Sequence, residues 1–416
     1  MNTPTRPLRP LCNALLATLV CLLAACGGAA VPTDGGGGIL PGTWKPTEVI
    51  GSGSAANAVA IDGDGNAAAV WTRLSEVWAN AYNAAGGGWG PAHRIDGHSG
   101  QVGSATVAMG GGAMAVWQEG TIATRRFAAG QWGGVDSVPG SAGNAITPLA
   151  GMDDSGNAFV AWWRASDYRL FISRRAAGAW EQTPTEVTAD SAANSPSLAV
   201  SANGDALIAW TSGGGHVDTR RYTPATGWDA PDPADRADDN AGTPTGAQAA
   251  LDELGNAFVV WNEGGVLKGN HRQAGGAWAG ETTVYADGGL GSYLLAAGHG
   301  AAMAAWNENG RVGAAAFDPG TGWAPTLPVE NNTNLIDDLR LGMDHAGNAI
   351  ALWTVGDRVM VNRHTAAAGW GQAKPLDGNA GLILGPRLAV SSGGTAMAVW
   401  KQGGGADQIA AARYAP

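Results

Sequence analysis

Tryptophan is the residue that most constrains this chain. Eight of them, Trp71, Trp117, Trp162, Trp210, Trp261, Trp306, Trp353 and Trp400, each follow a short apolar run, at steps of 46, 45, 48, 51, 45, 47 and 47 residues. A second eight interleave with the first: Trp44, Trp89, Trp132, Trp180, Trp228, Trp278, Trp323 and Trp370, mostly behind Gly or Ala. Together the two series account for 16 of the 18 tryptophans. A period of this length, with several strand-like runs per unit and no helical periodicity, predicts propeller blades before solenoid turns.

Each unit reads as four strands. In the third, these are Thr147–Met152, Ala158–Trp163, Leu170–Arg175 and Trp180–Val187. Between the first two strands lies a tight turn, DDSGNA, matched by DGDGNA at Asp62, DELGNA at Asp252 and DHAGNA at Asp344. Asp bonds backbone amides in such a turn, and Gly takes its positive-φ position. The motif marks units one, three, five and seven; the even units carry MGGGAM, SANGDA, AGHGAA and SSGGTA, which suggests a duplicated double blade.

The ends imply closure. The last unit stops after a third strand at Ile409–Tyr414, whereas the chain supplies a fourth-strand pattern, TWKPTEVI, at Thr43–Ile50. The expected fold is therefore all-β: an eight-bladed propeller over 43–416, closed by an N-terminal strand joining the last blade and leaving little exposed sheet edge. A seven-bladed ring with one degenerate segment is the rival.

The first residues place Arg6 and Arg9 before an apolar run, Leu11–Ala25, that is short for a membrane span and reads as a signal peptide over 1–25. Leu23, Ala24, Ala25 and Cys26 resemble the lipobox of bacterial lipoproteins, which implies cleavage before Cys26 and lipid attachment there. Cys12 and Cys21 lie in the removed segment, so no disulfide can staple the fold. A Gly-rich tether, 26–42, follows. Gly27 in place of Asp implies, by the lipoprotein sorting rule, the outer membrane, facing the periplasm or the surface. The mature chain keeps 22 basic against 35 acidic residues, which argues against nucleic acid as a partner.

In propellers the strand 1–2 and 3–4 turns share one face, and the 2–3 and 4–1 connections share the other. The second face varies here, with its longest connection, Asp229–Gln248, acidic and Pro-rich; binding tends to reside in such loops. Two residues beyond each strand-two tryptophan stand Arg73, Glu119, Arg164, Ser212, Glu263, Glu308, Val355 and Gln402. Arg73, Glu119, Arg164, Glu263 and Glu308 are the candidate ligand-binding set, expected near the channel mouth. Glu263 and Glu308, on adjacent blades, are the best pair for the two carboxylates of glycoside hydrolysis. Trp78 and Trp163 lie outside both series and are candidates for exposed contact. Arg126, Arg175, Arg221, Arg272, Arg363 and Arg413 recur on third strands, and their regularity argues for packing of stems beside tryptophan.

Other chemistry is not supported. The turns bear a faint similarity to the Asp-box of sialidase propellers, yet S-x-D-x-G-x-x-W is absent, so no arginine triad or nucleophilic tyrosine carries over. The Asp62 loop has Ala67 and Arg73 where a calcium loop needs Gly and Glu. The seven histidines show no zinc spacing, and there is no G-x-S-x-G elbow or P-loop. The sequence thus predicts no cofactor, no metal and no catalytic residue in a monomer. Its leading function is a non-catalytic binding or scaffolding module for an envelope protein. The alternatives are a carbohydrate-binding or glycan-hydrolysing propeller using the channel mouth, and a purely structural envelope protein.

Overall fold

The computed structural model describes residues 42–97, 101–188, 193–230, 235–240, 242–330, 335–376, 381–403 and 407–416. The expected leader, Cys26 and the tether up to residue 41 lie outside the described residues. Gly42–Pro416 form one compact unit of eight antiparallel sheets. Blade 1 runs through Ala55–Ile61, Ala67–Arg73 and Glu76–Asn83 to an outer strand in two pieces, Gly88–Trp89 and His93–Arg94. The other blades repeat this order, blades 2 and 5 with a single outer strand, Gln131–Ser137 and Thr282–Tyr285. First strands of neighbouring blades touch all the way round, so they form the innermost layer. The count is eight, not seven. Blade 8 pairs Ile383–Val390, Ala396–Gln402 and Gln408–Ala415 with Thr43–Trp44 and Glu48–Ser52, in the register Trp44↔Tyr414 and Glu48↔Ala411.

Second strands are buried on both faces, which explains their unbroken apolar runs such as AAAVW. Trp71, Trp117, Trp261, Trp306, Trp353 and Trp400 are among the largest fully buried side chains. The core is distributed over the seams: Val70, Val77 and Ala79 of blade 1 pack with Ala113, Ala115 and Trp117 of blade 2, and Leu207 and Val217 of blade 4 with Val259 and Trp261 of blade 5. The fourth-strand tryptophans lie further out and are half-buried, apart from buried Trp180. Trp78 and Trp163 are also half-buried and packed against core clusters.

The odd-blade turn is a small hydrogen-bonded device. Asp62 accepts from the Asn66 amide through Oδ1 (2.8 Å) and from Asn66 Nδ2 through Oδ2 (3.0 Å). Asp153–Asn157, Asp252–Asn256 and Asp344–Asn348 repeat both bonds. Asn66 Oδ1 then accepts from the Ala84 amide in the strand 3–4 turn (3.0 Å), so one motif fixes two turns. Gly65 (φ 81°) supplies the left-handed residue.

Strand register revises the arginine series. Opposite the residue three places before each strand-two tryptophan, the third strands carry Ala81, Arg126, Arg174, Arg221, His271, Ala316, Arg363 and Arg413. Arg175 and Arg272 sit one residue later, on the opposite face, and Arg174 takes the place expected for Arg175. This position reaches the next blade. Arg126 Nη1 donates to the Gly156 carbonyl (2.9 Å); Arg174, Arg363 and Arg413 lie over Tyr222, Tyr414 and Tyr82 at 5.0, 5.6 and 5.5 Å. The His271 ring lies 4.4 Å from that of Phe317.

Blades 5 and 6 are also joined by Tyr293. Its hydroxyl lies 2.7 and 2.8 Å from the carbonyls of Thr245 and Gly246, to which it donates, and accepts from the Asn262 amide (3.0 Å). Burial pushes its pKa up to about 12. Tyr293→Phe should lower the unfolding free energy by about 1–2 kcal/mol in urea titration, through backbone groups left unpaired; an unchanged midpoint would show that the seam does not depend on this hydroxyl.

Candidate functional site

Arg73, Arg164, Glu263 and Glu308 end second strands and Glu119 lies one residue beyond one, a strand outward from the layer that lines the axis. Each finds a neighbour close by. The exposed Arg73 guanidinium sits 5.4 Å over Trp78, whose Nε1 donates to Glu76 (2.8 Å). Glu119 accepts from Trp117 Nε1 (2.9 Å). Arg164 donates to Asp167 (Nε–Oδ1 2.9 Å) and lies 4.7 Å over Phe171. Glu263 pairs with Lys268 (2.8 Å), which also binds Glu281 (2.7 Å). Glu308 lies near the Tyr285 hydroxyl, which donates to the Gly288 carbonyl (3.1 Å) and whose pKa is pushed up by burial and then by that carboxylate. The cause is geometric: at the end of strand two, the nearest side chains belong to the 2–3 hairpin of the same blade, except at Glu308, which faces the outer strand of blade 5.

The long acidic connection behaves similarly where it is described; residues 231–234 and 241 lie outside the described residues. Buried Asp238 accepts from the Val217 amide and pairs with His216 Nδ1, both at 2.9 Å. Asp239 accepts from the Glu281 amide (3.0 Å).

On the opposite face the channel opens into a cavity of about 240 Å³. Its wall takes the last residue of strand one, or a neighbour, from every blade, including Met109, Met152 and Met343. The odd-blade turns add Asp62, Asp154, Glu253 and His345 to the rim. Glu253 is its hub. Its Oε1 lies 2.6 Å from His299 Nδ1 and its Oε2 3.2 Å from His345 Nε2, linking blades 5, 6 and 7. Burial disfavours the Glu253 carboxylate, but bonds from backbone amides and His299, and the charge of His345, hold its pKa below the usual value. Asp154 is shifted the other way, raised by burial and by neighbouring Asp153 and Asp62, with His345 opposing.

This rim was not among the predicted sites, because the turn motif was read for its fixed letters. The signal lay in the variable one: the residue after the Asp is Gly63, Asp154, Glu253 or His345. No group of three or more His, Cys, Asp or Glu side chains placed to hold a metal ion occurs among the described residues.

Strain at Asp154 gives a pH-dependent expectation. A carboxyl whose folded pKa is raised lowers stability above that pKa, and the penalty vanishes as pH falls toward its ordinary 3.8. Asp154→Asn should therefore raise the melting temperature at neutral pH, with a gain that disappears on acidification. A pH-independent gain would assign the effect to something other than charge.

No protein-family model matches the chain, and no curated protein matches it. Solved structures do. A lectin, BP39L from Burkholderia pseudomallei, superposes with a TM-score of 0.54 at 12% identity, covering 79% of this chain and all of the lectin. The Dos1 propeller gives 0.54 at 9% identity, over 90% of this chain and 95% of its own. A prolyl endopeptidase gives 0.51 at 12% identity over 85% of this chain, which spans only 55% of that protein. At these identities the likeness is one of architecture, and it places the chain among the β-propellers.

Proposed function

We propose that the chain is an outer-membrane lipoprotein, anchored through Cys26, whose propeller is a non-catalytic binding module for a protein of the cell envelope. The LAAC segment and Gly27 support the anchor and its destination. One observation carries the non-catalytic reading. Of the pair that glycan hydrolysis requires, Glu263 is held in an ion pair by Lys268 and Glu308 lies beside Tyr285 of the neighbouring blade, an arrangement suited to bracing strands and not to moving protons. Fold alone assigns no function, but a rigid ring with distinct faces suits partner binding. A propeller described as a lectin stands among the structural neighbours, so a glycan is the second ligand class.

Two measurements test this reading. Cys26→Ser should move the protein from the membrane fraction to the soluble fraction, and the mature wild-type N-terminus should carry the added mass of a lipid; a protein that stays unlipidated removes the anchor. The full chain, tagged at its C-terminus and captured from detergent-solubilised envelopes, should retain one stoichiometric protein. Retention of no protein, together with binding on a glycan array, would turn the reading to a lectin.

A further inference from the structure

The seam between blades 1 and 2 differs from its equivalents. Three of the four seams that run from an odd blade to an even one place an arginine or histidine side chain against an aromatic ring of the next blade. These are Arg174 with Tyr222, His271 with Phe317 and Arg363 with Tyr414. The fourth keeps the aromatic, Phe127, but carries Ala81 where the arginine or histidine would stand. The consequences are visible in the packing. Tyr222, Phe317 and Tyr414 are 7%, 4% and 2% exposed, whereas Phe127 is only half-buried. A groove of about 530 Å³ opens beside it, within the range of ligand sites, about 300–1,000 Å³.

The lining of this groove specifies an occupant. Phe127 and Met109 form an apolar side, glycines and Ala81 leave room on the other, and Asp62 contributes a carboxylate. No Lys, Arg or His lies among the lining residues. An anionic ligand would meet no counter-charge there, and the chain as a whole is acidic. A planar cation with an apolar stem meets both the ring and the carboxylate.

We propose that this groove receives the guanidinium of an arginine side chain presented by a partner protein, filling from outside the place that the chain itself fills at the three equivalent seams. The inference rests on the binding-module reading above and names the contact through which that module grips its partner.

The probe is N-acetyl-arginine amide, titrated into the full chain labelled with [methyl-¹³C]methionine, with the Met109 resonance assigned through Met109→Leu. A saturable shift of Met109 is expected. Ala81→Arg, which restores a residue that five other blades tolerate at this register, should keep or raise the melting temperature and abolish the shift. Phe127→Leu, which keeps apolar bulk but removes the ring, should weaken the probe about two- to five-fold. The proposal is overturned by a silent Met109, by an equal shift in a folded Ala81→Arg, by unchanged affinity in Phe127→Leu, or by a methyl glucoside that shifts Met109 where the arginine probe does not. Capture from the envelope keeps the two readings apart. A partner held equally by wild type and Ala81→Arg leaves the module standing and removes the groove, whereas a partner lost only from Ala81→Arg supports both.

Discussion

Everything in this propeller depends on the seam between neighbouring blades. A four-stranded twisted sheet has two apolar faces and cannot bury either alone, so each blade is stable only where the next one covers it. The second strands, apolar on both sides, are where that demand is greatest, and their tryptophans are covered almost completely. No cysteine lies among the described residues, so no disulfide relieves the demand there. Closure of the ring by Thr43–Ser52 gives the eighth blade its outer strand and spares the assembly an open end.

The polar chemistry follows from the same geometry. Turns between strands one and two crowd around the axis, so their side chains meet across blades, as Glu253 meets His299 and His345. Hairpins between strands two and three lie further out, and there Arg164 meets Asp167 and Glu263 meets Lys268 within one blade, while Glu308 faces Tyr285 of blade 5. Side chains near the axis thus couple blades, and those further out mostly brace one blade. The seams add a third kind of contact, in which a third-strand arginine or histidine reaches an aromatic ring next door. Only its register against strand two reveals this contact.

How much was legible in the residues varied with the range of the interaction. The turn motif was readable because Asp, Gly and Asn act within a few residues of each other; even so, the bond from Asn66 to Ala84 spans 18 residues and was invisible. The arginine series was noticed but misregistered, since Arg174 and Arg175 are adjacent in sequence and face opposite blades. The candidate set of Arg73, Glu119, Arg164, Glu263 and Glu308 was found by periodicity, which says where a residue recurs and nothing about what stands beside it. The rim around Glu253 went unread for the converse reason: its members break the repeat.

The sequence by itself determined the repeat and the way the ring closes, and left eight blades or seven for the tertiary structure to decide. Those properties are set by the spacing of large apolar side chains and by strand-forming runs, both of which are local. The tertiary structure decided which faces meet. Whether Ala81 is an unremarkable alanine or a missing wedge depends on Phe127, which lies on another blade, and on the register that brings the two to one seam. Side-chain direction in a strand reverses with every residue, so contacts across a seam are fixed only once pairing is fixed.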